Sequence, residues 1–470
     1  MNDSVISPHK YKLFSIAAVG TFMATFDGSV VNVALPTIAK ELGASVDLVA
    51  WVALSYSLTL VALIMLFGSL TESKGYAFAY KFGYIFFILG SLLCGLSTSI
   101  YTLIFSRILQ ATGTAMFAAV GLGMVTEIFP EKERGKAIGM IVMTVSAGFI
   151  IGPPAGGLLL SWFSWQSIFF INIPIGLAGL TMAFIYFRNM PVKKEPRQMR
   201  WAGPLSISLT LVSATFALRM IKDYPISDFR IWGLALVSLL ALAAFIKFES
   251  NEKTALIGFD IFKNRQFTFS IAAMLAVFAS ISGLLLLVPF FLENVKGLKP
   301  DEVAFFLIII PVLMFIFAPL SGKLSDKIGP RILTTSGVMV LIGGLILFGR
   351  VEEAGSLFQV ALALAVIGAG IGIFTTPNSS ALMGSVDSGQ RAVTSGIVAT
   401  SRNIGLAMGV AISTAMFAFF QEMHADIGTA NEIFVLSFRD VVLLSVAMAM
   451  IALPFCIARG NRKPKTESSH

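Results

Sequence analysis

Residues 13–36 read LFSIAAVGTFMATFDGSVVNVALP and contain one ionisable side chain, that of Asp27. A helix needs about 20 apolar residues to cross the hydrocarbon core of a bilayer, so this stretch is long enough to span a membrane. It is also too long for the apolar core of a cleavable signal peptide. The stretch therefore predicts a first transmembrane helix that carries a carboxyl group inside it.

The composition extends this interpretation to the whole chain. Apolar residues make up 56% of the 470 residues and charged residues only 13%, whereas soluble proteins carry about 25% charged residues. This number of charged residues is too small to cover a water-facing surface. Much of the surface must therefore face lipid. We therefore expect an all-α polytopic protein of the cell membrane.

Further apolar runs predict fourteen spans in total. If the N-terminus is cytoplasmic, the cytoplasmic segments hold 24 of the 34 Lys and Arg residues and the outside loops hold six. Because cytoplasmic loops are enriched in Lys and Arg, this bias predicts that both termini are cytoplasmic. The predicted spans are residues 13–36, 48–70, 78–98, 101–125, 137–160, 166–187, 202–221, 230–248, 268–292, 302–321, 332–349, 357–380, 392–420 and 437–458.

An internal repeat relates the two ends of the chain. Two glycines and an acid after span two, Gly68, Glu72 and Gly75, recur 254 residues later as Gly322, Asp326 and Gly329. Glycines in spans four and five recur at an offset of 257 in spans twelve and thirteen. Spans one to six therefore match spans nine to fourteen, which is a known transporter architecture.

The repeat divides the chain into four predicted segments. The first is an N-terminal six-helix bundle at residues 1–187, followed by two inserted transmembrane helices with basic cytoplasmic linkers at residues 188–265. A C-terminal six-helix bundle then occupies residues 266–458, and a cytoplasmic tail occupies residues 459–470.

Ionisable side chains inside spans are the candidates for chemistry, because such residues usually face a cavity or a partner. Burial favours the neutral form of a carboxyl group, so Asp27 could take up and release a proton. It could instead only hydrogen-bond a neighbouring helix. Arg107 in span four and Arg402 in span thirteen keep their charge, and each either works with an anion or pairs structurally. Gln110 lies one turn from Arg107.

Other residues predict conformational roles. Gly148, Gly152 and Gly156 let span five approach another helix closely, and Pro153 removes a backbone donor. This pattern predicts a bendable helix or plain close packing. Glu72 and Asp326, at the cytoplasmic ends of spans two and ten, could latch neighbouring helices or be solvated loop charges.

The chain contains no HExxH motif, no P-loop, no Gly-rich strand-to-helix turn and no Cys/His metal spacing. We therefore expect no enzyme activity, no metal, no cofactor, and no nucleotide or nucleic-acid partner.

Several motifs together resemble the fourteen-span drug:proton antiporter branch of the major facilitator superfamily, from about Thr21 to Phe420. The motifs include FDGSVVNVALP at residues 26–36, WVALSY at 51–56, RILQATG at 107–113 and GFIIGPPAGG at 148–157. WFSW at 162–165, INIPIG at 171–176 and SRNIG at 401–405 also fit. The chain departs from the family at the first cytoplasmic motif, where Glu72 replaces an Asp and residues 76–80 replace a basic cluster.

The resemblance implies a proton-coupled exporter of amphipathic small molecules that works by alternating access between two six-helix bundles. Asp27 would exchange protons, and Arg107 would tune its proton affinity. From their span positions we expect five substrate-binding residues: Asn32, Tyr56, Gln110, Phe117 and Asn378.

Three other functions stay open. A lipid or lipid-precursor flippase on the same fold would need a similar apolar cavity. A non-transporting receptor or scaffold would usually carry a larger soluble domain, and a membrane-embedded enzyme would need motifs that the sequence lacks.

Overall fold

The computed structural model describes residues 10–189, 202–224, 227–249, 259–352, 355–386, 391–426 and 428–459. The predicted tail after residue 459 and most of the first basic linker, residues 190–201, lie outside these ranges. The described residues form helices and no strands. The α-helices are α1 (Lys10–Glu41), α2 (Val46–Lys74), α3 (Tyr76–Gly95), α4 (Ile100–Ile128), α5 (Glu131–Trp162), α6 (Ser167–Phe170), α7 (Asn172–Tyr186), α8 (Ala202–Asp223), α9 (Phe229–Glu249), α10 (Arg265–Phe290), α11 (Pro300–Leu307), α12 (Ile309–Ile328), α13 (Pro330–Gly349), α14 (Leu357–Gly384), α15 (Arg391–Met423) and α16 (Ala430–Ala458).

The helices confirm the predicted fold class. Among the described residues, 13 helical stretches are long and apolar enough to cross a membrane, and a shorter apolar stretch lies at Leu205–Ala217 within α8. Each of the fourteen predicted spans therefore overlaps one or two of these helices. Predicted span six is broken at Ile171 into α6 and α7, and predicted span ten is broken at Ile308 into α11 and α12.

The helix ends explain two of the repeated glycines. Gly75 joins α2 to α3 with φ 83°, and Gly329 joins α12 to α13 with φ 88°. Glycine reaches positive φ without a steric penalty because it lacks Cβ. The repeated loops therefore place glycine where a single residue must reverse the direction of the chain.

The chain forms two compact units. Unit 1 is Met1–Gly258 with Lys299–Ala304, and unit 2 is Phe259–Leu298 with Phe305–His470. Within unit 1, α1 packs on α5 and α7, and α4 packs on α2 and α3. Within unit 2, α10 packs on α15 and α16, and α14 packs on α12 and α13. The same helix pairs therefore recur in both units, in the order that the internal repeat predicts.

The inserted helices belong to unit 1, where α8 packs on α2 and on α9. Ser208 in α8 donates a hydrogen bond to the carbonyl oxygen of Ala62 in α2, at 2.6 Å. Most of the large apolar side chains of α9 are exposed, including Phe229, Trp232 and Leu236. Exposed apolar surface of this kind suits a helix that faces lipid.

Glycines set the spacing of one helix pair in each unit. A Cβ at Gly113 of α4 would lie 2.6 Å from the backbone nitrogen of Phe87 in α3. A Cβ at Gly370 of α14 would lie 2.5 Å from the backbone nitrogen of Leu341 in α13. Real Cβ atoms do not approach backbone this closely, so both pairs pack backbone to backbone, as small residues allow.

We predict that Gly113→Ala and Gly370→Ala each destabilise the protein by about 1–3 kcal/mol, because the added methyl group overpacks the helix contact. The measurement is the apparent Tm of detergent-purified protein. Gly233→Ala in α9 is the matched control, since nothing lies within 4 Å of its added Cβ. A Tm for either core variant equal to that of the control would show that the two contacts are looser than described.

Candidate functional site

A buried carboxyl group lies at the centre of unit 1. Asp27 in α1 is 1% exposed. Its Oδ2 accepts a hydrogen bond from Nη1 of Arg107 at 2.6 Å, which makes an ion pair. Its Oδ1 accepts from Nε2 of Gln110 and from Nδ2 of Asn172, each at 2.8 Å. Both oxygens of the carboxylate are thus hydrogen-bonded, and the negative charge has a positive partner.

The partner cation is held from several sides. Arg107 in α4 is 1% exposed, and its Nε donates to the carbonyl oxygen of Val52 in α2 at 3.3 Å. Its guanidinium carbon lies 4.1 Å from the ring centroid of Tyr56, a cation–π contact. The hydroxyl group of Tyr56 hydrogen-bonds Thr114 at 2.8 Å. The Arg107 side chain therefore has little freedom to move alone.

Gln110 connects the ion pair to a third helix. Its Oε1 accepts a hydrogen bond from Arg107, and its Nε2 donates to Asp27 and, at 2.8 Å, to Oγ of Ser91 in α3. A Cβ at Gly90 would lie 2.5 Å from the backbone nitrogen of Gln110. The glycine before Ser91 thus lets α3 come close enough for this bond.

The cluster joins five helices, α1, α2, α3, α4 and α7, around one pair of opposite charges. Removing one member of a buried ion pair is strongly destabilising, because the other charge is left without compensation. Proton uptake by Asp27 would have a related effect, since it would cancel the charge that balances Arg107. A change of protonation at Asp27 would therefore disturb contacts that side chains and backbone from five helices make.

The structure brings together four of the predicted site residues: Asp27, Arg107, Gln110 and Tyr56. Asn32 is partly buried on the same helix as Asp27 but has no part in these contacts. Phe117 packs in an apolar core beside the rings of Tyr80, Tyr84 and Phe87. The substrate-binding roles of these residues stay predictions.

Three of the predicted site residues, Asp326, Asn378 and Arg402, lie in unit 2, and the structure describes the side chains of the last two. Asn378 in α14 is fully buried, donates to the carbonyl oxygen of Ser270 at 3.0 Å, and accepts from Nη1 of Arg459 at 2.9 Å. Arg402 in α15 is partly buried and makes no hydrogen bond or ion pair with another described residue. Neither Asn378 nor Arg402 is bonded to Asp27 or to its hydrogen-bond partners.

The predicted conformational residues of span five lie along α5, which packs on α1. A Cβ at Gly152 would lie 2.6 Å from Cβ of Ser29, and one at Gly156 would lie 3.2 Å from Val30. A Cβ at Gly148 would likewise clash with the side chain of Thr25 in α1. Pro153 is buried within α5. This helix therefore packs closely beside Asp27. Glu72 and Asp326 lie in the last turns of α2 and α12, and their side chains are outside the described part of the structure.

Sequence reasoning missed two residues of the site, Asn172 and Ser91. Asn172 is in the quoted motif INIPIG, which we used only as evidence of resemblance. An amide side chain inside an apolar run, in a chain with a membrane carboxyl group, is the signal that could have identified it. Ser91 carries no comparable signal. Among the described residues, no group of three or more His, Cys, Asp or Glu could hold a metal ion.

Comparison with known proteins identifies the family of this chain. The family model described as Major Facilitator Superfamily matches residues 17–410. The riboflavin transporter RibZ of Clostridioides difficile is 31% identical over 444 residues, covering 94% of this chain and 96% of the relative. The multidrug resistance protein Stp of Mycobacterium tuberculosis is 29% identical over 401 residues, covering 85% and 74%.

Solved structures share the fold. A bacterial homologue of the human lysosomal transporter Spinster, in an inward-facing and unoccupied conformation, superposes with a TM-score of 0.67 at 18% identity, covering 96% of this chain and 97% of that one. The xylose transporter XylE of E. coli superposes with a TM-score of 0.61 at 12% identity, covering 94% and 97%. At these identities the likeness shows the fold alone.

We predict that Arg107→Met destabilises the protein by about 3–5 kcal/mol at a pH where Asp27 is ionised, because the carboxylate then lacks its counter-ion. The double variant Asp27→Asn/Arg107→Met should regain most of that loss. The measurement is the apparent Tm of the purified variants in detergent. A double variant as unstable as Arg107→Met would contradict a direct ion pair between the two side chains.

Proposed function

Because this chain belongs to the Major Facilitator Superfamily, we propose that it is a secondary active transporter that exports amphipathic small molecules in exchange for protons. The observation that supports the exchange best is the Asp27 carboxyl group, buried in α1 and paired with Arg107. A carboxyl group is a proton carrier that needs no cofactor. Its placement inside a membrane helix is a signature of function rather than of packing.

Coupling would work through the charge balance of the pair. When Asp27 is ionised, the cluster of α1, α2, α3, α4 and α7 is neutral and its hydrogen bonds are formed. When Asp27 takes up a proton, Arg107 keeps its charge and loses its counter-ion. A conformation in which Arg107 finds water or another acceptor is then favoured, and this difference between the two states drives alternating access.

Relatives support export of amphipathic compounds as the substrate class. They include the multidrug resistance protein Stp and the multidrug transporter protein MdtP of Bacillus subtilis. They also include the tetracenomycin C resistance and export protein of Streptomyces glaucescens. Substrates of this class are held mainly by apolar and aromatic contacts, as a chain with 41 Phe and 20 Met residues can provide.

A second candidate substrate is riboflavin or another planar heteroaromatic compound with polar hydroxyl groups. It is favoured by the 31% identity to the riboflavin transporter RibZ, which extends over nearly the full length of both chains. The two candidates share a fold and differ only in cargo, so one transport assay separates them.

We predict that protein in sealed vesicles with an imposed pH gradient moves a lipophilic dye or riboflavin against its concentration gradient, and that collapse of the pH gradient stops this movement. The assay follows ethidium fluorescence and riboflavin fluorescence in parallel. Asp27→Asn should reduce gradient-driven transport to the level of protein-free vesicles, because the amide cannot release a proton.

The matched control is Asp426→Asn, an exposed acid after α15. It should transport like the unmodified protein. Gradient-driven transport that survives Asp27→Asn at the unmodified rate would remove the proposed role of this carboxyl group.

A further inference from the structure

We propose that Asn172 is a positioning residue that serves both protonation states of Asp27. Its amide donates a hydrogen bond to the carboxylate and, once Asp27 is protonated, turns over so that its oxygen accepts the acid proton. This inference rests on the proposed function, since it assigns a mechanism to the same carboxyl group. All the contacts of Asp27 and Asn172 that support it lie inside unit 1.

The first observation is an unsatisfied acceptor beside the carboxyl group. Asn172 is fully buried, and its Nδ2 donates to Oδ1 of Asp27 at 2.8 Å. The Oδ1 of the same amide is buried and has no hydrogen-bond partner in the described part of the chain. A buried acceptor without a partner is costly and uncommon, so its presence beside a titratable group calls for a physical reason.

The second observation is that no other side chain bonded to Asp27 has a free acceptor for the hydroxyl hydrogen of a protonated carboxyl group. Arg107 carries donors only. Gln110 has both ends of its amide occupied, because Oε1 accepts from Arg107 and from Sγ of Cys94, while Nε2 donates to Asp27 and to Ser91. A carboxylic acid needs an acceptor for its hydroxyl hydrogen. Among the three side chains bonded to Asp27, Asn172 alone has an acceptor free to meet that need.

The third observation concerns how easily the amide can turn. The last torsion of an Asn side chain joins sp³ and sp² carbons, so its energy profile is broad and nearly two-fold. Turning it by half a revolution exchanges Oδ1 and Nδ2 without moving the backbone. The backbone itself is fixed, because Asn172 begins α7 directly after the turn at Ile171, whose N–H bonds the carbonyl oxygen of Ser167 at 3.1 Å.

Asp27 has ionisable neighbours on three other helices. The titratable and charged groups around it are Arg107 on α4, Tyr56 on α2 and Cys94 on α3, whose Sγ lies 3.9 Å from Oε1 of Gln110. Arg107 keeps its charge, and Tyr and Cys side chains are normally neutral at neutral pH. The carboxyl group of Asp27 is therefore the proton carrier of the proposed function, and Asn172 is the side chain that follows its protonation state.

The primary test is infrared difference spectroscopy of the purified unmodified protein on a change of pH, with asparagine labelled at its side-chain nitrogen. We expect a carboxyl band of protonated Asp27 to be accompanied by an Asn amide band that shifts with the label. Both bands should vanish in Asp27→Asn. Asp27 bands without any labelled amide band would overturn the proposal for Asn172 while leaving the proposed proton exchange intact.

Transport provides the second test. Asn172→Leu removes a charge-assisted hydrogen bond to the ionised carboxylate of Asp27. It also removes a weaker, neutral hydrogen bond to the protonated carboxyl group. The pH at half-maximal transport should therefore rise by about half to one unit. Asn172→Ser, whose hydroxyl both donates and accepts, should shift this pH less. The control is Asn431→Leu, which replaces an exposed Asn of α16 in unit 2 and should not move the midpoint.

Failure of the role proposed for Asn172 and failure of the proposed function give different results. An unchanged midpoint in Asn172→Leu, or an equal shift in Asn431→Leu, would refute the role of Asn172. If Asn172→Leu does not fold, the Asn172→Ser midpoint and the labelled spectrum of the unmodified protein decide. Transport that does not respond to Asp27→Asn would instead refute the proposed function itself.

Discussion

The ion pair between Asp27 and Arg107 is the interaction on which the architecture of unit 1 depends. Two opposite charges lie inside apolar helices, where each would be unstable without the other. The surrounding contacts keep them together: Gln110 bonds both, Tyr56 stacks on the guanidinium, and Asn172 bonds the carboxylate. The close approach of α3 to α4, which the glycines permit, completes the shell. One constraint thus explains small residues, polar residues and aromatic residues on five different helices.

The two units share their helix packing but differ in the polar residues that lie between the helices. Both units repeat the same helix pairs and the same glycine contacts, so the packing rules are common to both. The residues between the helices differ. In unit 2 the helix that corresponds to α1, Arg265–Phe290, contains no acidic residue, and Ser270, Asn378 and Arg459 form a polar cluster of their own. Of these two corresponding helices, α1 alone carries a buried carboxyl group, which fits the proposed exchange of protons at one place.

Hydropathy and charge predicted almost the whole fold, because the length of an apolar run is fixed by the thickness of the bilayer. The same reasoning predicted Asp27 and Arg107, since a charge within such a run is conspicuous. It did not predict their partners. Asn172 and Ser91 are ordinary polar residues whose importance depends on which helix faces which, and Phe117 and Asn378 were placed by span position alone. The breaks at Ile171 and Ile308 were also missed, because hydropathy does not register a local change of backbone geometry.

The central claim is that Asp27 exchanges its proton for substrate. The most direct measurement is proton release in weakly buffered detergent solution when a substrate identified in the vesicle assay is added, followed with a pH indicator. The account predicts that the unmodified protein releases protons on substrate addition and that Asp27→Asn releases none. Equal release from both proteins, or substrate binding without any release across the pH range of transport, would contradict it.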